Sequence, residues 1–216
     1  MATFEFISST MGLKRRKGGS TVDGQSDEEN NLFVAQGLPA NTEVARRGDL
    51  WSVQTATPFA GITAVPTTLA KLEISNNSAD RYMIVKDIWS WQLLGTAVVW
   101  SHTPWAQVGA TVFSANTALV FYDAIGGAYT SAAAGPMRTA VDQTVVANGW
   151  RVFPGSTMNF GLAAATPGGA NVGQVDGQLI VPPKLSLHIA VSSSVNTASA
   201  LHCGASFVMS SSLTSR

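Results

Sequence analysis

Charge is what this 216-residue chain has least of: 13 Lys+Arg and 13 Asp+Glu, 12% of the residues, cancelling to zero net charge. Soluble domains ordinarily carry about 25% charged residues. The deficit is concentrated. Beyond residue 50 the charged side chains are Lys71, Arg81, Lys86, Arg138, Arg151, Lys184 and Arg216 against Glu73, Asp80, Asp87, Asp123, Asp142 and Asp176. The runs 88–122 and 185–215 contain none. A balanced chain has no global field to draw in nucleic acid or an anionic membrane. A body this neutral is also poorly protected against self-association. Its surface is expected to be covered by copies of itself or by a larger assembly.

The other absences narrow the class further. Cys203 is the single cysteine, which excludes an internal disulfide framework. The basic cluster Lys14, Arg15, Arg16 and Lys17 is followed by Gly18, Gly19 and Ser20 instead of an apolar stretch, so no secretory signal is expected. The uncharged run 88–122 is long enough to cross a bilayer, but Ser101, His102, Pro104, Gln107 and Asn116 interrupt it, and no membrane helix is expected. Neither a nucleophile with nearby His and Asp, nor paired carboxylates, nor a phosphate-cradling loop is visible. Gly126-Gly127 and Gly168-Gly169 lack the Lys-Ser/Thr that phosphate binding needs. No enzyme and no cofactor are expected. The histidines are His102, His188 and His202. The last two fall on consecutive candidate strands with the same outward parity, which would let them pair. A metal site needs three or four ligands, so a structural role is the expectation.

What the chain does contain is strands and turns. The run 185–192 alternates strictly: Leu185, Leu187, Ile189 and Val191 against Ser186, His188, Ala190 and Ser192. This period of two is that of a half-buried strand. The run 201–209 repeats it with Leu201, Cys203, Ala205, Phe207 and Met209. Further strands are predicted over 51–57, 69–75, 82–94, 108–113, 118–123, 144–147, 150–153, 158–163 and 178–181. Turn chemistry separates them at Asn76-Asn77, Gly126-Gly127, Gly135-Pro136, Asn148-Gly149, Pro154-Gly155, Pro167-Gly168-Gly169 and Pro182-Pro183. No stretch shows helical periodicity over ten residues, although 41–47 fits a single helical turn. Many short strands at this spacing predict an all-β fold, an antiparallel β-sandwich, with the eight-stranded jelly roll as its size match. The expected organisation is an extended N-terminal arm over 1–31, a transition over 32–50 and the sandwich over 51–216.

Three features bear on binding. The arm sets its four adjacent positives against Glu5, Asp23, Asp27, Glu28 and Glu29. Lys14, Arg15, Arg16 and Lys17 are candidates for genome contact, where each phosphate neutralised contributes through counterion release. The opposed acids equally suit an electrostatic tether to a neighbour's arm. Phe4 and Phe6 alternate as a short strand would and are candidates for docking on a neighbouring subunit. Trp89, Trp91, Trp100 and Trp105 fall close together, with Trp89 and Trp91 on one strand face. They are candidates for core, for a subunit interface, or for a carbohydrate platform. Strand 82–94 is apolar on both faces, which predicts burial on both sides. Arg47-Gly48-Asp49 spells an integrin-binding tripeptide but precedes the first strand of the body and is not at an evident loop tip, so no such role is expected.

The run 177–191, Gly-Gln-Leu-Ile-Val-Pro-Pro-Lys-Leu-Ser-Leu-His-Ile-Ala-Val, resembles a pattern in structural proteins of bacterial viruses, where a strand ends in a Pro turn and the next re-enters the sandwich. The run 36–46, Gln-Gly-Leu-Pro-Ala-Asn-Thr-Glu-Val-Ala-Arg, is similar to the same class. The resemblance implies a structural role in a phage virion: a capsid shell, its decoration or an appendage. The implied partners are copies of the chain and other virion proteins, and the implied location is the virion, after synthesis in the host cytoplasm. The alternative is a receptor- or carbohydrate-binding module of a viral fibre or lectin-like protein.

Overall fold

In a computed structural model of the chain, residues 25–26, 32–33, 42–95, 102–109, 117–132, 135–153, 156–157, 169–194 and 199–210 are described. Two compact units divide at Thr42. In the first, β1 (Gln25–Ser26) pairs antiparallel with β2 (Leu32–Phe33). Near the boundary, α1 (Thr42–Arg46) gives the single helical turn expected there. It ends where Gly48 takes φ +72°. Gly48 N–H donates to the Ala45 carbonyl (3.0 Å) and Asp49 N–H to Val44 (3.2 Å). These are the paired bonds of a Schellman cap, and the left-handed position suits Gly. The Arg-Gly-Asp tripeptide is thus a helix terminus.

The second unit is two antiparallel sheets packed as a sandwich. The large sheet runs in the order β11 (Ser156–Thr157), β12 (Ala170–Gln174), β5 (Tyr82–Gly95), β15 (Ser199–Ser210), β3 (Leu50–Gln54), β7 (Val120–Asp123), β8 (Ala128–Thr130), with β13 (Ile180–Val181) also on β5. The small sheet runs β10 (Arg151–Val152), β6 (His102–Gly109), β14 (Ser186–Ser193), β4 (Leu69–Asn76), β9 (Met137–Thr144). Eight of these strands form nested antiparallel pairs: β3 with β15, β4 with β14, β5 with β12, and β6 with β10. The first pairs with the last, the second with the seventh, the third with the sixth and the fourth with the fifth. The chain behaves as one long hairpin wound into two layers. Strands β7, β8 and β9 are inserted between the fourth and fifth strands and extend one edge of each sheet.

The core lies between the sheets and follows the alternation read from the sequence. Leu187, Ile189 and Val191 of β14 and Leu201, Cys203, Ala205, Phe207 and Met209 of β15 are all core residues. They meet Leu72 and Ile74 of β4 and Met83, Val85 and Ile88 of β5. Phe207 meets Phe121 edge to face at 6.0 Å. Burying each large apolar side chain contributes roughly 1.5–3 kcal/mol.

Several expected strands shift. The strand predicted over 108–113 is β6, His102–Gly109. Pro104 sits inside it without breaking the sheet because its carbonyl, which accepts from Phe153 N–H, faces the two-residue β10. In an antiparallel strand a residue's N–H lies on the same side as its carbonyl, so the missing donor costs little ladder. The strand predicted over 144–147 shares only Thr144 with the observed β9, Met137–Thr144. Strands β8, β11 and β12 were not predicted, and the strand predicted over 158–163 lies outside the described residues.

Candidate interaction surfaces

The winding places successive nested pairs in alternate layers, and that decides where the candidate residues go. Strand β14 is in the small sheet and β15 in the large one. His188 and His202 share outward parity but face away from each other on opposite sides of the sandwich, so they do not pair. The tryptophans divide in the same way. Trp89 and Trp91 lie on the outer face of the large sheet, whereas Trp105 lies on the outer face of the small sheet, where its Nε1–H donates to Ser192 Oγ (2.8 Å). The structure therefore brings Trp89 and Trp91 together and separates Trp105 from them. Trp100, Phe4, Phe6, Lys14, Arg15, Arg16 and Lys17 lie outside the described residues.

The outer face of the large sheet mixes aromatic and aliphatic side chains with uncharged polar ones such as Gln54, Gln174 and Ser206. Trp89 is opposite Gly204 in register. A Cβ at Gly204 would come within 2.6 Å of Trp89 Cε2 and Cζ2 and 2.5 Å of the Val53 carbonyl oxygen. Only glycine lets the indole lie across β15, with its second face turned outward. One row on, Trp91 packs against the His202 ring at 5.1 Å. His202 Nδ1–H donates to the Thr55 carbonyl (3.1 Å), which fixes the tautomer. Trp89 and Trp91 are each half-buried, so β5 is not buried on both faces as its composition predicted. Val172, in register with Trp89, is 45% exposed, and Tyr122 is 57% exposed.

The outer face of the small sheet is polar yet closed. Ser186, His188 and Ala190 of β14 are buried on the side that alternation assigned to solvent. Glu73 of β4 is His188's register partner, and Gln107 of β6 flanks it on the other side. Ser75 Oγ donates to Glu73 Oε1 (2.5 Å) and bonds Ser186 Oγ (2.9 Å). The His188 imidazole lies over Gly109. Part of the covering is visible. Strands β9 and β10 lie at opposite edges of this sheet, and residues 145–150 join them. This short link is long enough to span roughly 19 Å of sheet, and it bends at Ala147 and Asn148, with Gly149 at φ +96°. Gln107 Nε2–H donates to the Val146 carbonyl (3.1 Å) and Trp150 Nε1–H to the Thr67 carbonyl (2.8 Å), pinning the crossing. Burial lowers the His188 pKa from 6.5 to about 4.

Between the sheets, His102 is held at both nitrogens. Nε2–H donates to the Gly169 carbonyl (2.7 Å), so Nδ1 accepts from Ser90 Oγ–H (2.8 Å). Burial lowers its pKa, with the Gly169 bond opposing. Cys203 is buried in the core, and desolvation pushes its thiol pKa upward. Among the described residues no three His, Cys, Asp or Glu are grouped to hold a metal ion. Among them, too, no helix is long and apolar enough to cross a membrane.

Gly204, Val172 and the small-sheet row of Glu73, Ser75 and Ser186 were missed in the sequence. The parity of strand 201–209 already placed Gly204 on the outward side, which was the available signal. Compared with protein-family models, curated proteins and solved structures, the chain has no significant match to any of them.

Proposed function

We propose that this chain is a virion structural protein whose sandwich is a jelly roll and whose neutral sheet surfaces assemble with copies of itself. The observation that carries the reading is the nested pairing of β3–β15, β4–β14, β5–β12 and β6–β10, alternating between two layers. That is the winding expected of an eight-stranded jelly roll, an architecture that serves viral capsid and lectin domains. The near-absence of charge beyond residue 50 supports assembly over a dispersed monomer. The resemblance of 177–191 and 36–46 to phage structural proteins supports the virion setting.

In this reading the sandwich is a rigid block, and the N-terminal residues, including Phe4 and Phe6, tie neighbouring subunits by strand addition. The cluster Lys14–Arg15–Arg16–Lys17 meets either the acids of a neighbouring arm or the genome. Deleting residues 1–31 tests the tie: light scattering should report loss of large particles. Particles that form unchanged would remove the arm from assembly. Nucleic acid recovered from wild-type particles, and lost on replacing the four basic residues by Gln, would assign that cluster to the genome.

A second reading has its own observation. Trp89 and Trp91 present flat, half-buried aromatic surface on one face, beside the exposed amides of Gln54 and Gln174. Such a face suits stacking against sugar rings, as in a lectin-like receptor-binding module. A glycan-array signal abolished by Trp91→Ala would favour it.

A further inference from the structure

We propose that the outer face of the large sheet, centred on the β-bulge at Lys86 and Asp87, is a two-fold contact between copies of this chain. The inference rests on the self-assembly proposed above and names the surface that carries it.

The bulge is the starting point. Val85 and Ile88 are both fully buried core residues. Three positions apart on a regular strand, they would face opposite sides. The register of β5 against β15 shifts between Ser206 and Phe207, where Ser206 is opposite Asp87 and Phe207 opposite Val85. Lys86 is the extra residue of the bulge. Both core positions are thereby satisfied, and Lys86 and Asp87 are left side by side on the outward side, each half-buried. Ser206 Oγ–H donates to Asp87 Oδ2 (3.0 Å), which fixes the carboxylate.

These two residues are the only Asp, Glu, Lys or Arg in β5, and β12, β15 and β3 contain none. Around them the face is uncharged, with Ser206, Gln174, Ser52 and Gln54 interspersed among apolar side chains. It carries Trp89 and Trp91, with Val172, Tyr122 and Ile180 respectively 45%, 57% and 37% exposed. Exposed apolar side chains gathered on an uncharged face mark an association surface, and tryptophans are its usual anchors. Five strands at about 4.8 Å spacing, and seven steps of about 3.3 Å along β5, give roughly 19 by 23 Å in projection. This is about 440 Å², about half of the ~800 Å² that each partner contributes to a standard interface.

The charge pattern selects the occupant. One positive and one negative side chain stand side by side on an otherwise uncharged face. A two-fold axis through the bulge sets Lys86 of each copy against Asp87 of the other, so the surface is its own complement. A strongly charged partner would gain nothing from it.

Lys86→Asp and Asp87→Lys, each alone and mixed in equal amounts, test the inference by sedimentation velocity and light scattering on the full chain. Each variant alone sets like charges against each other and should weaken self-association at least ten-fold. In the mixture, the paired carboxylates of one variant face the paired ammonium groups of the other, and association should return to within a few-fold of wild type. That recovery also shows that both variants fold. Val172→Glu, on the same face, should weaken association without being rescued by either variant. Variants that associate as wild type does, or a mixture no better than its components, would remove this face while leaving assembly standing. A wild-type chain monomeric at every concentration would overturn assembly itself and this contact with it.

Discussion

The stability of the sandwich should fall as the solution is acidified from neutrality, and His188 should account for about 2 kcal/mol of the loss. Its imidazole lies over Gly109 on the closed face of the small sheet and is buried, and burial holds its folded pKa at about 4 against 6.5 for the free side chain. A depressed histidine pKa means that the unfolded chain binds the proton more readily than the folded one. The stabilising advantage of the neutral ring is complete above 6.5 and is lost as pH falls from 6.5 towards 4. With those two values the difference between pH 7.5 and pH 5 works out at about 2 kcal/mol. Stopping at pH 5 keeps the comparison above the ordinary carboxylate range. The groups facing His188 are Glu73 of β4 in register and Gln107 and Gly109 of β6, with Lys71 and Arg138 on neighbouring rows. Urea unfolding at the two pH values, on wild type and on His188→Gln, is the assay. Wild type should lose that amount plus a further share from His102, whose pKa is lowered in the same direction. His188→Gln should retain only the His102 share. An equal pH dependence in the two proteins would refute the reasoning. So would a His188 ring resonance titrating near 6.5 in the folded protein.

Other substitutions follow from the same packing. Gly204→Ala should cost about 1–3 kcal/mol in urea unfolding, because its Cβ meets the Val53 carbonyl and the Trp89 ring, and should change the environment of Trp89 fluorescence. Phe207→Ala, which removes a fully buried ring from beside Phe121, should cost about 3–5 kcal/mol. The Cys203 thiol should be inert to a thiol reagent in the native protein and react once per chain on unfolding, since it is buried in the core and its pKa is raised.

The legible parts of the fold were those where one strand face meets the core and the other does not. Strands β14 and β15 declared themselves through Leu187-Ile189-Val191 and Leu201-Cys203-Ala205. Strand β12 was hidden because its inward residues are Asn171 and Gly173, which read as loop. Asn171 Nδ2–H instead donates to the His102 carbonyl (2.8 Å), and Phe153 packs so close to Gly173 that a Cβ would stand 2.6 Å from its carbonyl oxygen. Strand β9 was hidden because it is an edge strand with Asp142 at φ +52° and little apolar content. Trp89 and Trp91 were found from spacing alone. Their separation from Trp105 was not, because which layer a strand joins depends on long-range pairing that no local pattern encodes. The bulge at Lys86–Asp87 was equally invisible. Only the pairing of β5 with β15 shows that Val85 and Ile88 must both face inward.

Self-assembly through neutral surfaces is tested most directly by negative-stain microscopy of the purified full chain over a concentration series. Closed, uniform particles or discrete symmetric oligomers that grow in population with concentration are the expected result. Isolated monomers at every concentration would contradict it.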